Sequence, residues 1–269
     1  MAKRSNISGA PGWNWEAKAW LALWLLVLGS GVIAYFRPTD PTLSPLASAL
    51  LVIGVLSSVL AIFWIPWFIN RRRTNALASA ANDLAMEFIA NPSSEDLGAS
   101  SKLSVFQLGS AGSLRNLMIG KFGRADVQLV DYYCRAGPGR DRAYRSKTTV
   151  VIFPNAAAGF PDFMLIPRVG LTRGSVMNLA LKSQPDLKIG KQPAHAFASH
   201  YWVSGTDREA LRNLFSPRVM DFFEANKNWN VEMLDGQMAI YKMDRLVQVK
   251  DYTKRLEVAL LVLKAFTRS

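Results

Sequence analysis

The sequence predicts a two-span transmembrane helical hairpin followed by a two-layer α+β domain with a mainly antiparallel sheet. Three observations lead to this fold class: two uncharged apolar runs near the N-terminus, basic residues that flank them on one side, and neighbouring strand patterns bordered by amphipathic helices. We divide the 269 residues into a tail, a hairpin, a basic juxtamembrane stalk helix and a soluble cytoplasmic domain. The expected boundaries are residues 1–18, 19–69, 70–92 and 93–269.

The two apolar runs cover residues 19–36 and 46–69, and neither contains Asp, Glu, Lys or Arg. A helix rises 1.5 Å per residue, so a hydrocarbon core of ~30 Å takes about 20 apolar residues to cross. The second run is therefore long enough, and the first is at the short end of the range. Tryptophans gather at the outer ends of both runs, as interface anchors do. These are Trp13, Trp15, Trp20, Trp64 and Trp67.

The connection between the runs, residues 37–45, is rich in proline, which prevents a continuous helix and makes the pair a hairpin. Basic residues favour the cytoplasmic side of a membrane. They are frequent in both outer flanks, whereas the connection has only Arg37, close to Asp40. Both termini are therefore expected in the cytoplasm. The basic residues of the flanks are Lys3, Arg4, Lys18, Arg71, Arg72 and Arg73.

After the second run, residues 74–91 carry apolar side chains at three- and four-residue steps. This spacing predicts a helix that continues out of the span and ends at Pro92. A block of neighbouring strands follows, and such a succession is typical of an antiparallel sheet. The strands predicted in this block are residues 114–122, 125–135, 146–153 and 162–167.

The last third of the chain mixes helices with strands. Thr206 and Glu209 form a capping-box pattern ahead of one helix, and Ser216 with Pro217 begins the next. A final amphipathic helix is predicted at residues 252–266. The strands predicted in this part are residues 201–203, 229–233 and 237–243.

The sequence offers few groups for catalysis or metal binding. His195 and His200 are its two histidines and Cys134 is its one cysteine, which are too few for a standard zinc site or an internal disulfide. Cys134 lies in a strand without an obvious base, so it is read as a packed side chain. Residues 109–113 lack the features of a phosphate loop and predict a turn. We therefore expect no catalytic residues, no cofactor and no metal.

The net charge of +12 suits a domain beside an anionic leaflet. Nucleic acid is not an expected partner, because the basic residues form no sustained run outside residues 71–73. Six arginines are candidate contacts to lipid or other anions, after the second span or around a predicted hairpin tip near residues 137–142. They are Arg71, Arg72, Arg73, Arg135, Arg140 and Arg142.

Four segments carry a resemblance to a known group of proteins. They are the pair of spans with residues 71–73, the hairpin around residues 117–120, the run at residues 160–167 and the segment at residues 201–207. Together they resemble bacterial inner-membrane proteins with two N-terminal transmembrane helices and a cytoplasmic domain of unknown function. The resemblance implies a bacterial inner-membrane setting and brings no catalytic residues with it.

Two functional hypotheses follow. The first is a membrane-anchored module whose cytoplasmic domain binds a protein partner or the membrane surface. The second is an enzyme of unrecognised type that acts on a phosphate-bearing substrate near the bilayer. The polar groups available to such an enzyme are Arg135, Arg140, Arg142 and Asp131. A third interpretation, a subunit of an envelope complex joined through its spans, stays open.

Overall fold

The chain forms two compact units, Met1–Arg72 and Arg73–Ser269. The computed structural model describes residues 44–108, 110–136, 144–156, 159–168, 187 and 196–267. The predicted tail and first span lie outside the described residues. The second unit begins earlier than the expected boundary at residue 93, because Leu77 and Ala81 are fully buried in its core.

The first helix, α1, spans Ser44–Asp83 and has 40 residues. It contains the uncharged run at residues 46–69. Most side chains between residues 44 and 66 lie outside the description. Within the described residues, no helix has both the length and the apolarity that a membrane crossing requires. The transmembrane hairpin stays a prediction.

The C-terminal end of α1 comes before residue 91, so the predicted extent of the stalk helix is wrong. Ala85 adopts a left-handed conformation with φ of 53°. The amide of Met86 donates to the carbonyl of Ala81 at 2.8 Å, which is the Schellman pattern that ends helices. The chain then continues as a strand, because Met86 is buried and residues 87–89 pair with the sheet.

Eight strands form one sheet, and the prediction of a mainly antiparallel sheet is confirmed. The strands are β1 (Glu87–Ile89), β2 (Ser110–Phe122), β3 (Ala125–Ala136), β4 (Tyr144–Phe153), β5 (Phe163–Pro167), β6 (Tyr201–Gly205), β7 (Asn230–Leu234) and β8 (Gln237–Tyr241). Their order is β1-β2-β3-β4-β8-β7-β5-β6. All the pairs between these described strands are antiparallel.

The start of β2 replaces the turn that was expected at residues 109–113. Gly109 lies outside the described residues, and the strand begins at Ser110. Gly112 is required by a close approach rather than by a turn, because a Cβ atom there would lie 2.6 Å from the hydroxyl oxygen of Tyr132. A small residue inside a strand can thus indicate packing against a neighbouring side chain.

Helices cover one face of the sheet. After α1 they are α2 (Phe197–His200), α3 (Arg208–Leu214), α4 (Pro217–Ala225) and α5 (Tyr252–Thr267). Their buried side chains share one cluster with Leu129 of β3, whereas Val130 belongs to a second cluster. Successive strand residues point to opposite faces, so the clusters lie on the two sides of the sheet. The second cluster is covered by two 3-10 helices that the sequence did not predict, Gly98–Lys102 and Ser104–Gln107.

The cap of α3 differs from the predicted capping box. The N-terminal cap is Asp207 rather than Thr206. Its carboxylate accepts hydrogen bonds from the amides of Glu209 and Ala210 at 3.1 and 2.9 Å. A carboxylate satisfies these amides and also interacts favourably with the positive end of the helix dipole. The start of α4 after Ser216 is as predicted.

Candidate functional site

The candidate site is built around a buried carboxylate, Asp131 of β3. Asp131 lies on the same side of β3 as Leu129 and Val127, which point into the cluster beneath the helices. The exposed fraction of its side chain is 0%. A carboxylate removed from water in this way strongly destabilises a fold unless an opposite charge and hydrogen bonds satisfy it.

Arg73 of α1 supplies the opposite charge. Its Nε donates to Oδ2 of Asp131 at 2.8 Å, and its Nη2 donates to Oδ1 at 3.0 Å. Two parallel hydrogen bonds of this kind are the strongest arrangement between a guanidinium and a carboxylate. Burial lowers the pKa of Arg73, but the hydrogen bond and charge of Asp131 outweigh it, so the pKa lies above its ordinary value.

Three further donors complete the coordination of Asp131. Asn116 Nδ2 donates to Oδ2 at 3.1 Å, and Thr149 Oγ1 donates to Oδ1 at 2.6 Å. The hydroxyl of Tyr252 lies 3.4 Å from Oδ1 and accepts a hydrogen bond from Arg73 at 3.1 Å. Burial, together with the charge of Asp131, holds the pKa of Tyr252 far above its usual range, so this phenol stays protonated.

The network joins elements that are distant in sequence. Arg73 also donates through Nη1 to the carbonyl of Val247 at 2.8 Å, and the amide of Val247 donates to Thr149 at 3.0 Å. The last turns of α1, strands β2, β3 and β4, and the start of α5 therefore meet at one carboxylate. Both carboxylate oxygens of Asp131 already accept hydrogen bonds from neighbouring side chains. The role that this arrangement supports is therefore structural: it holds α1 against the sheet.

The six predicted anion contacts have different surroundings. Arg73 donates its hydrogen bonds to Asp131, Val247 and Tyr252, so its guanidinium is not available to a lipid phosphate. Arg71 and Arg72 are exposed, with their guanidinium carbons 5.0 Å from the Trp67 ring centroid and 4.7 Å from the Phe68 ring centroid. Arg135 is exposed on β3. Arg140 and Arg142 lie outside the described residues.

Two other reactive groups, the Cys134 thiol and the Glu232 carboxylate, are buried in the domain. Cys134 is buried, and burial raises the pKa of its thiol despite a hydrogen bond with Ser146. The second buried carboxylate, Glu232, accepts from the amides of Ser104 and Val105, the latter at 3.1 Å, and so caps a 3-10 helix. Burial raises the pKa of Glu232, and these hydrogen bonds oppose the rise.

Metal binding has no support in the part of the chain that is described, where no three His, Cys, Asp or Glu side chains are placed to hold an ion. His200 Nδ1 lies 3.0 Å from the carbonyl of Ala196. His195 lies outside the described residues.

The sequence missed the partners of Asp131. The inward position of a charged residue was visible in the alternation of β3, because Asp131 shares the side of Val127 and Leu129. That alternation predicts a buried carboxylate, which requires a positively charged partner. It does not indicate which Lys or Arg of the chain is that partner. Arg73 is 58 residues away and Tyr252 is 121 residues away.

Comparisons of this chain with protein-family models, curated proteins and solved structures find no match.

Proposed function

We propose that this protein is a membrane-anchored module whose cytoplasmic domain, residues 73–269, binds at the membrane surface or to a protein partner there. The observation that carries the proposal is the character of α1, in which exposed apolar and aromatic side chains are followed by exposed arginines. The resemblance noted above favours a bacterial inner membrane as the setting.

The exposed apolar side chains are concentrated on α1. Among the described residues, seven of the eight large hydrophobic side chains that are exposed belong to it, and the other is Leu261. The seven are Val52, Ile53, Leu56, Trp64, Trp67, Phe68 and Ile69. Apolar surface exposed to water is unfavourable by roughly 25 cal/mol per Å², so such a surface indicates a lipid or protein environment.

The aromatic and basic residues follow the order expected at a membrane interface. Trp64 and Trp67 stack with their ring centroids 6.3 Å apart, and Arg71 and Arg72 follow about one helical turn after Trp67. Indole rings favour the head-group layer, and arginines beyond it can meet anionic phosphates. This order supports an interface near residues 64–72, with the domain on the cytoplasmic side.

The test is membrane fractionation of the full-length chain under alkaline carbonate extraction. We expect the protein in the membrane pellet, and we expect the double variant Val52→Asp/Leu56→Asp to move largely to the supernatant. A charge at the centre of a spanning helix costs about 2.5–3.5 kcal/mol. Leu261→Asp is the matched control, because this side chain is similarly exposed but lies in α5. Wild-type protein in the carbonate supernatant would contradict the anchor.

Orientation is tested separately with reporter fusions. A reporter that functions in the cytoplasm should be active after Ser269 and inactive when inserted in the connection at residues 37–43. The reverse pattern would exclude a cytoplasmic domain.

The surface that the domain recognises is tested with anionic and neutral liposomes and with affinity purification from detergent extracts. Binding to liposomes that contain anionic lipid favours the membrane surface, and a reproducible co-purifying protein favours a partner. If neither occurs, the interaction module is excluded.

The enzyme hypothesis has less support. Of the four polar groups named for it, Asp131 is fully buried and bonded to Arg73, Asn116 and Thr149.

A further inference from the structure

A second group of charges lies around Trp229, and in contrast to Asp131 these charges have no opposite charge within 4.0 Å among the described residues. Arg255 of α5 has its guanidinium carbon 4.5 Å from the centroid of the Trp229 ring, and Lys242 has its Nζ 4.6 Å from the same centroid. Arg245 is close enough to act electrostatically on both. We call these four residues the Trp229 cluster.

The position of Arg255 is unusual for the sequence around it. Tyr252, Leu256 and Ala259 form the buried face of α5, and Arg255 lies on that face with an exposed fraction of only 9%. An apolar residue would fill this position without having to be neutralised.

Arg255 also has an unsatisfied hydrogen-bond donor. Its Nη1 is buried and makes no hydrogen bond among the described residues. In the same part of the chain, no carboxylate lies within 4.0 Å of Lys242, Arg245 or Arg255. A buried donor that is left unsatisfied destabilises a protein, and a charged donor does so more strongly.

The electrostatic surroundings agree with this geometry. Burial and the charge of Arg245 lower the pKa of Arg255 to about 10, against opposing effects from Tyr252 and Asp251. Burial also lowers the pKa of Lys242, and the charges of Arg255 and Arg245 add to the effect. Each cation therefore disfavours the charged form of its neighbours. An anion bound among them would offset both the cost of removing the cations from water and their mutual repulsion.

We propose that the Trp229 cluster is a binding site for a phosphate group, either free inorganic phosphate or the phosphate of a lipid headgroup. Three cations with no carboxylate within 4.0 Å in the described part of the chain suit a multiply charged group better than a single carboxylate. The planar fork of Arg255 matches two phosphate oxygens, and Lys242 and Arg245 add point charge. Trp229 is 7% exposed and already has cations at its ring, so recognition is by charge and not by stacking of a base.

The test is calorimetric titration of the full-length chain in a non-ionic detergent with inorganic phosphate, at constant ionic strength against chloride. We expect saturable binding, and about tenfold weaker binding for Arg255→Leu, because a charge-assisted hydrogen bond is lost. Lys254→Met is the matched control: it removes a cation from the same turn of α5, but its side chain is exposed. Its affinity should stay within about twofold of wild type.

Thermal unfolding provides an independent measurement. Without phosphate, Arg255→Leu should unfold at a higher temperature than wild type, because it removes an unpaired buried charge. At the same phosphate concentration, the unfolding temperature of wild type should rise more than that of the variant, because the variant binds phosphate more weakly. If Arg255→Leu does not fold, Lys242→Met serves in its place and should also bind phosphate about tenfold more weakly.

A second titration distinguishes the two sources of phosphate. Mixed micelles that contain phosphatidic acid are compared with micelles that contain phosphatidylcholine, both without free phosphate. Saturable binding of inorganic phosphate identifies a site for free phosphate, and binding of phosphatidic acid alone identifies a lipid headgroup. The proposal is overturned if neither ligand binds, or if Arg255→Leu and Lys242→Met bind as tightly as Lys254→Met. The inference does not depend on the membrane anchor.

Discussion

At the scale of single residues, two buried charges of the domain differ in how far their hydrogen bonds and opposite charges are supplied. Asp131 has its opposite charge and additional donors around it, with Arg73 at 2.8 and 3.0 Å. Arg255 has an aromatic ring, two cations nearby and an unbonded nitrogen. A satisfied charge of the first kind maintains a structure, whereas an unsatisfied one of the second kind is typical of a ligand site.

The contribution of Asp131 can be measured by substitution. Asp131→Ala leaves the largely buried Arg73 without a counter-charge, and we expect a loss of about 3–5 kcal/mol in the free energy of unfolding. Urea unfolding of the full-length chain, followed by near-UV circular dichroism, measures it.

Asp126→Ala is the matched control for this substitution. Asp126 lies on the same strand but is exposed, and its nearest cation is Lys121 at 3.8 Å. Its substitution should change stability by about 0.5 kcal/mol or less. Equal effects at Asp131 and Asp126 would exclude the role given to the buried network.

At the scale of elements, the end of α1 shows how a local conformation determines where a helix stops. Ala85 has φ of 53°. This left-handed region is disfavoured for residues with a Cβ atom, whereas glycine adopts it without strain. The helix ends there because Met86 is buried and the strand that follows pairs with β2. The energy gained by burial and pairing exceeds the strain at Ala85.

Ala85→Gly should therefore stabilise the domain by roughly 0.5–1 kcal/mol, because glycine adopts a positive φ without strain. The shift of the urea midpoint measures it. Ala76→Gly is the opposite control: Ala76 is exposed in the interior of α1, where glycine costs about 1 kcal/mol. A destabilising Ala85→Gly would contradict the assignment of Ala85 as the helix-ending residue.

At the scale of the whole molecule, residues 73–269 form one unit whose first and last helices meet the same carboxylate. Because its first and last helices are joined through one hydrogen-bond network, this unit should unfold in a single cooperative transition. Cys134 offers a probe of that event, because it is the one cysteine of the chain and is buried in β3.

We expect Cys134 to resist alkylation at pH 8 and to become reactive in urea over the same range in which the circular dichroism signal is lost. Burial raises the pKa of the thiol, so little thiolate exists in the folded protein, and the reagent has no access to it. Alkylation of folded protein at the rate of a free thiol would show that the sheet around Cys134 opens without global unfolding.

The sequence predicted most of the sheet but only part of the site. The strands around residues 114–135 and 146–153 were visible because alternation, β-branched residues and turns are local signals. β1 was missed because three residues are too few for a strand pattern, and Leu84 and Phe88 fit a helical spacing as well. Arg255 was likewise recognisable as a charge on the apolar face of α5, but Trp229 and Lys242 were not recognisable as its neighbours.

The sequence by itself determined the uncharged run and its basic flank, the antiparallel strands and the amphipathic helices, since each of these depends on residues close together in the chain. The tertiary structure alone decided that Arg73 is bonded to Asp131 and is not free for lipid, and that Trp229, Lys242 and Arg255 lie together. The physical reason is that a charge takes its partner from whatever the packed core brings within a few ångströms, and that choice is not encoded by spacing along the chain.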